Sequence, residues 1–236
     1  DLFRKLQGAR LRLPRVALTS GRDLAAIRRA MNGGAVDFLT KPISPGDLIA
    51  TIDKVYADCE SRRKSWRTEA ELAAIRRELD IASDLQKRIL PRQFPTGDGV
   101  ELFARMKPAK EMGGDFYDFF QVAPGKLGLV VADVSGKGVP AAFFMAVART
   151  LIRATALAGG GPGHCLDRVN RLLCDHDIPG IFVSVFYAIL DTGTWEIVYA
   201  NGGHLPPYLI KDGVGEKDFL IHPLGGGAGT VLGIQN

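Results

Sequence analysis

The sequence predicts an α/β protein with three successive parts: a short parallel α/β segment, a long helix, and an α/β sandwich of two antiparallel sheets flanked by helices. Three observations support this prediction. Apolar strand-like runs alternate with helical patterns in residues 1–57, no proline or glycine occurs in residues 47–90, and strand patterns surround two helical patterns in residues 92–236. We therefore place the boundaries at residues 1–57, 58–91 and 92–236.

The first part alternates helices and strands. Apolar spacing predicts helices over residues 1–13 and 23–32, and short apolar runs predict strands over residues 15–19 and 36–39. Ser44 is placed to cap the next helix, because it precedes a proline suited to the first helical position. Strands that alternate with helices are typical of a parallel sheet.

The second part is predicted to be one long helix with a heptad stripe. The stripe could pack on its own domain or join two chains in a parallel coiled coil. We favour a homodimer through residues 60–90, because polar residues flank the stripe on both sides and few residues nearby could cover it. A glutamine in the seam would then help to fix the register. The stripe consists of Leu72, Ile75, Leu79, Ala82, Gln86 and Ile89.

Composition indicates a cytoplasmic globular protein. Apolar residues make up 46% of the chain and charged residues 24%, and no apolar run approaches the roughly 20 residues that span a membrane. Cys59, Cys165 and Cys174 form no CxxC pair and are expected to be reduced thiols. The net charge of +4 raises nucleic acid as a partner. Because acidic residues alternate with the basic ones, we expect solvated helix faces, no nucleic-acid partner and no membrane association.

Two aspartates stand out in the third part. Asp115 follows two glycines and Asp133 closes the apolar run 127–132, 18 residues further on. That spacing suits neighbouring antiparallel strands with a turn at residues 124–125. Each Gly-Asp pair alone is more often a tight turn, but two in register would converge at one end of a sheet. Carboxylate oxygens in such a place suit Mg²⁺ or Mn²⁺.

Other polar residues nearby receive different interpretations. Asp118 lies three residues beyond Asp115, so we expect it on the opposite strand face in a structural or supporting role. A solvated loop position is favoured for Glu111, although a supporting role at the site is the alternative. Ser135 and Lys137 could touch a phosphate. For His204 we prefer a turn histidine bonded to backbone over a ligand or general acid.

The third part also carries a family resemblance. GGDFYDFF, ADVSGKGVPAAFFMA and NGGHLPP occur in that order. Residues 85–236 thereby resemble the bacterial stress-response and sporulation phosphatases, which are metal-dependent serine/threonine phosphatases of the protein phosphatase 2C (PPM) superfamily. The resemblance implies two Mn²⁺ or Mg²⁺ ions held by Asp115, Asp133 and the carbonyl of Val134. It also implies hydrolysis by metal-activated water, with the two aspartates as the catalytic residues.

This resemblance implies a substrate as well. It is a phosphorylated anti-anti-sigma protein that carries a phosphoserine. In that family the domain continues beyond the equivalent of residue 234 and supplies further aspartates, which we expect downstream of residue 236. The activity of this chain is expected to depend on them. The alternative function is a catalytically inactive adaptor that has the phosphatase fold and binds a sigma-factor regulator.

The first part carries a second resemblance. LTSGRDLAAIRRAMNGGAVDFLTKPI is similar to the C-terminal half of a response-regulator receiver domain. It implies that Thr19 is the switch hydroxyl, Phe38 the switch aromatic and Lys41 the lysine that contacts the phosphoryl group, with Pro42 following through a cis peptide bond. The phosphoacceptor aspartate is then expected upstream of residue 1. The whole chain is accordingly predicted to be a two-component response regulator, with an upstream histidine kinase as a partner.

Overall fold

A computed structural model describes residues 13–20, 24–93, 99–175, 179–212, 219–225 and 228–234. The chain divides into two compact units, Asp1–Arg76 and Arg77–Asn236. Except for its last residue, the helix predicted over residues 1–13 lies outside the described residues.

The first unit contains the predicted strand–helix–strand arrangement. Strand β1 (Val16–Thr19) and strand β2 (Asp37–Thr40) pair in parallel, and helix α1 (Leu24–Asn32) lies between them in sequence. The register aligns the last residues of the two strands, so that residues 19 and 40 are partners. The parallel pairing confirms the expectation from alternating strand and helix patterns.

Helix α2 (Pro45–Ile89) runs without interruption for 45 residues. The Ser44 hydroxyl accepts a hydrogen bond from the backbone N–H of Asp47 at 3.0 Å, which confirms the predicted cap. The first members of the heptad stripe, Leu72 and Ile75, are exposed. Gln86, in contrast, is only 3% exposed within its own chain. The beginning of the stripe is therefore exposed in the single chain, whereas Gln86 is covered by residues of its own chain.

The second unit is built on seven strands among its described residues. They are β3 (Phe116–Ala123), β4 (Lys126–Val134), β5 (Val183–Asp191), β6 (Ile197–Gly202), β7 (Tyr208–Asp212), β8 (Phe219–Pro223) and β9 (Ala228–Gly229). Five of them form one sheet in the order β3-β4-β5-β6-β9, in which neighbours pair antiparallel, except that β6 and β9 are parallel. Strands β7 and β8 form a separate antiparallel hairpin.

Helices α3 (Val139–Leu157) and α4 (Pro162–Cys174) pack with β3, β4 and β5 around one hydrophobic core. Met145 and Ala148 are fully buried in α3 and Val169 is fully buried in α4. Among the described helices, α3 alone is long and apolar enough to cross a membrane by length and composition. Its buried face accounts for that apolar character as core packing.

Antiparallel sheets flanked by helices are present as predicted: among the described strands there is one five-stranded sheet, antiparallel except for β9, and one two-stranded hairpin. Residues 100–106 alternate apolar and polar side chains as a strand would, but they contain only an isolated bridge residue at Val100. Alternating apolar residues identify a half-buried extended segment, whereas a strand also needs a neighbour with a free edge.

A buried ion-pair cluster joins α3 to β3. Asp118 is 3% exposed, and its carboxylate lies 2.9 Å from Nη2 of Arg149 and 3.0 Å from Nη1 of Arg153. The second arginine also stacks over the Phe120 ring, 4.8 Å from its centroid. Asp118 therefore has the structural role that its strand position predicted.

Candidate metal centre

The β3–β4 register brings the two predicted aspartates together. Phe116 pairs with Ala132, so the next positions outward along the two strands are Asp115 and Asp133. Their carboxyl groups are close enough to interact electrostatically. The strands are joined by the turn at residues 124–125, as predicted, and a one-residue shift between Gln121 and Ala123 completes the register.

Close packing behind the pair explains the glycines that precede Asp115. Gly114 is buried, and a Cβ atom there would lie 2.7 Å from the carbonyl oxygen of Val134 and 3.3 Å from Cβ of Ala141. A Cβ on Gly113 would lie 3.1 Å from Cβ of Pro108. Only glycine therefore lets this segment lie against the end of β4.

The pair has the electrostatics of a cation site. Burial, followed by the interaction with the neighbouring Asp115 carboxyl group, raises the pKa of Asp133 to about 6. At neutral pH the Asp133 carboxylate is therefore largely ionised. Two such oxygen donors beside the end of β4 fit part of a Mg²⁺ or Mn²⁺ site. Within the described ranges, no third Asp, Glu, His or Cys side chain completes a group that could hold a metal ion.

The aspartates line an open cavity of about 370 Å³. Val134 lines it too, as do two exposed lysines, Lys110 and Lys137. The cavity thus combines carboxylates for a cation with ammonium groups for an anion. That combination suits a phosphate ester bound next to metal ions. Glu111 is exposed and is not part of this lining, in agreement with the loop position favoured above.

Ser135 lines the cavity and also joins two segments of the chain. Its hydroxyl donates to the carbonyl oxygen of Gly180 at 3.2 Å and accepts a hydrogen bond from the backbone N–H of Phe182 at 3.0 Å. The side chain therefore ties the end of β4 to the segment before β5. The suggested contacts of Ser135 and Lys137 with a phosphate both stay predictions.

The structure places His204 closer to the site than the sequence indicated. Its backbone N–H and carbonyl are both bound by the side-chain amide of Asn201, as expected for a turn residue. Its Nδ1 lies 2.8 Å from Oγ of Ser184, the β5 partner of Asp133. Burial lowers the pKa of His204, while the negative charge of Asp115 opposes that shift. Sequence spacing gave no signal for the contact with Ser184.

Gln86 is the second residue that sequence reasoning placed differently. Its side-chain amide donates to the carbonyl oxygen of Gly113 at 2.6 Å and accepts from the backbone N–H of Gly113 at 3.1 Å. The predicted position in a dimer seam is therefore wrong for this side chain, because its polar atoms bind the chain's own loop. Heptad spacing could not distinguish a partner helix from the domain that follows.

Two of the predicted switch residues, Thr19 and Lys41, lie at the carboxyl ends of the two parallel strands of the first unit. Thr19 ends β1, and its carbonyl oxygen accepts a hydrogen bond from the backbone N–H of Lys41 at 2.8 Å. Phe38 lies within β2, opposite Ala17, and lines a cavity of about 240 Å³ with Thr19. The Lys41–Pro42 peptide bond is cis. The switch roles of these residues stay predictions.

Comparison with known proteins points to one class of domain. Residues 123–235 match the family model of Stage II sporulation protein E (SpoIIE). The phosphoserine phosphatase RsbU of Bacillus subtilis is 30% identical over 161 residues, covering 68% of this chain and 46% of RsbU. The phosphoserine phosphatase RsbP of the same organism is 26% identical over 149 residues, covering 61% of this chain and 36% of RsbP.

A solved structure gives the same result for the fold. The SiaA-PP2C domain of Pseudomonas aeruginosa is 26% identical with a TM-score of 0.59, and the match covers 70% of this chain and 65% of that one. Together these similarities support a serine phosphatase domain of the SpoIIE/PP2C type in this chain. Within that type, the domain resembles RsbU. The chain spans less than half the length of RsbU and about a third of that of RsbP, at 46% and 36%.

Proposed function

We propose that this chain is part of a response regulator whose effector is a metal-dependent protein serine/threonine phosphatase. The observation that carries the proposal is the pair of Asp115 and Asp133, which the β3–β4 register places together in the lining of a cavity that also contains lysines. The similarity to two phosphoserine phosphatases supports the same activity. The reaction is hydrolysis of a phosphoserine monoester to serine and inorganic phosphate.

Each part of the cavity has a role in that reaction. Asp115, Asp133 and the carbonyl of Val134 would be among the ligands of two Mn²⁺ or Mg²⁺ ions. Such ions neutralise phosphate oxygens and lower the pKa of water. Lys110 and Lys137 would attract the phosphate dianion into the cavity. The two ionised carboxylates exclude the anion until cations are present, because like charges repel.

The substrate is proposed from the family resemblance. It is an anti-anti-sigma protein phosphorylated on serine, and the names of RsbU and RsbP record phosphoserine phosphatase activity. The reduced cysteines and the absence of a disulfide among the described residues agree with a cytoplasmic location. The other proposed partner is an upstream histidine kinase. No nucleic acid or membrane is proposed as a partner.

Regulation is proposed to begin in the first unit. Thr19, Phe38 and Lys41 would form the switch of a receiver domain, and phosphorylation would promote a homodimer through residues 60–90. The exposure of Leu72 and Ile75 supports a helix–helix contact there. Because Gln86 is bound to its own chain, the proposed dimer contact ends before that residue. A protein that stays monomeric in sedimentation whatever the state of its receiver would contradict this part.

The activity is tested by Mn²⁺-dependent release of phosphate from a phosphoserine protein. The full-length protein is compared with its Asp133→Asn variant and with Asp80→Asn, which removes an exposed carboxylate from helix α2. We expect activity in the wild type and in the control variant and a loss of at least about a hundredfold in Asp133→Asn, as is typical when a group that stabilises the transition state is removed. No activity at millimolar Mn²⁺ with a phosphorylated receiver would favour the adaptor function instead.

A further inference from the structure

The end of helix α2 is joined to the loop before the metal site by a two-point hydrogen bond. Gln86 Nε2 donates to the carbonyl oxygen of Gly113 at 2.6 Å, and the Gly113 N–H donates to Gln86 Oε1 at 3.1 Å. The Gln86 side chain is 3% exposed. Both of its polar atoms are therefore engaged by one residue of one loop.

The loop has few other means of holding its position. Gly113 belongs to no strand or helix, so its N–H and carbonyl find no partner in a regular backbone ladder. Glycine also has the greatest freedom of all residues when it is not held. The amide of Gln86 satisfies the N–H and the carbonyl together, as a neighbouring strand would. The side chain thus replaces secondary structure at this point.

That point is two residues before Asp115. The next residue, Gly114, lies against the carbonyl of Val134 so closely that a Cβ would be 2.7 Å from its oxygen. Displacement of Gly113 would therefore move both the carboxylate of Asp115 and the space beside the Val134 carbonyl. The two groups expected to hold a cation depend on the same segment.

We propose that Gln86 is a positioning residue that holds the Gly113–Asp115 segment in place and thereby sets the affinity of the carboxylate pair for divalent cations. The inference rests on the proposed function for the identity of the cation, but not for the contact itself. Packing of helix α2 requires only a side chain of similar volume at this position. The amide group is needed only to hydrogen bond to the loop. Replacement of Gln86 by an apolar residue of equal length therefore removes the hydrogen bonds and keeps the packing of the helix.

The test uses the full-length protein and three variants. Gln86→Met keeps the length of the side chain and removes both hydrogen bonds, whereas Gln86→Asn keeps the amide and is one carbon too short to reach. Gln121→Met makes the same chemical change at an exposed position of β3 and is the matched control. Hydrogen exchange of the Gly113 amide is measured by NMR, with the Val130 amide of β4 reporting on the core. Mn²⁺ affinity is measured by titration calorimetry without substrate.

We expect the Gly113 amide to exchange about tenfold faster in both Gln86 variants, as follows from the loss of a net hydrogen-bond contribution of about 1.4 kcal/mol. Exchange at Val130 stays unchanged, the Kd for Mn²⁺ rises by about tenfold, and Gln121→Met matches the wild type. Unchanged exchange at Gly113 would overturn the proposal. Faster exchange at Gly113 with an unchanged Kd for Mn²⁺ would overturn it as well.

Faster exchange at Val130 in Gln86→Met would mean that this substitution destabilises the whole fold. The proposal is then judged on Gln86→Asn alone, from its exchange rate at Gly113 and its Kd for Mn²⁺. If the wild type binds no Mn²⁺, the proposed function fails. Exchange at Gly113 then decides whether Gln86 holds the loop, and a lack of any change there rejects the contact.

Discussion

Replacing Asp133 by asparagine is expected to stabilise the metal-free protein at neutral pH and to make its stability insensitive to Mn²⁺. Burial and the neighbouring Asp115 raise the pKa of Asp133 from 3.8 to about 6. Between these two values the folded chain holds a proton that the unfolded chain has lost. The free energy of unfolding of the wild type therefore falls as the pH rises through this window and levels off above it.

The size of this effect follows from the shift. The rise of the pKa from 3.8 to about 6 corresponds to about 3 kcal/mol at most, at about 1.36 kcal/mol for each unit of pKa. Both carboxyl groups are exposed, so solvent screening reduces the effect, and we expect about 1 kcal/mol. For a chain of this length that is about 2–4 °C in Tm.

The assay is urea unfolding of the full-length protein in EDTA at about pH 4 and about pH 7.5, on either side of the window over which this carboxyl group titrates. The stability of Asp133→Asn relative to wild type should rise by about 1 kcal/mol between these values. Asp80→Asn, an exposed change on helix α2, should show no such rise. Mn²⁺ at a hundred times its Kd should then stabilise the wild type and Asp80→Asn by about 2.7 kcal/mol, but not Asp133→Asn. Two results would refute the assignment of the pKa shift to the carboxylate pair. One is a stability difference between Asp133→Asn and wild type that is the same at both pH values. The other is an equally large change with pH in the difference between Asp80→Asn and wild type.

Three further predictions concern stability, the site and assembly. Asp118→Ala should lower the free energy of unfolding by about 3 kcal/mol in urea, because it leaves the buried Arg149 guanidinium without its partner; a loss below about 1 kcal/mol would show that solvent reaches the cluster. Gly114→Ala should weaken Mn²⁺ binding by about tenfold or more in calorimetry, since its Cβ would meet the carbonyl oxygen of Val134 at 2.7 Å; wild-type affinity would show that the segment can shift freely. Leu72→Glu should shift the proposed dimer to monomer in sedimentation at micromolar protein without changing the thermal stability, because this side chain is exposed in the single chain; an unchanged dimer would place the contact elsewhere.

Local sequence determined the part of the site that depends on short-range geometry. A two-residue turn joins β3 to β4, and a one-residue register shift between Gln121 and Ala123 brings Asp115 opposite Asp133. Alternation along β3 likewise places Asp118 on the opposite, buried face. The helical segments and the cap at Ser44 were predictable for the same reason, since their signals lie within a few residues.

Contacts between distant segments were decided only by the tertiary structure. Nothing in the spacing of Gln86 indicates that its amide binds Gly113, because a heptad stripe is satisfied equally by a partner helix or by the chain's own domain. The approach of His204 to Ser184 depends on how a turn after β6 folds back on β5. Sequence patterns indicate which side chains prefer burial. Which residue each side chain contacts depends on how many elements pack together, and nothing in the neighbouring sequence indicates that contact.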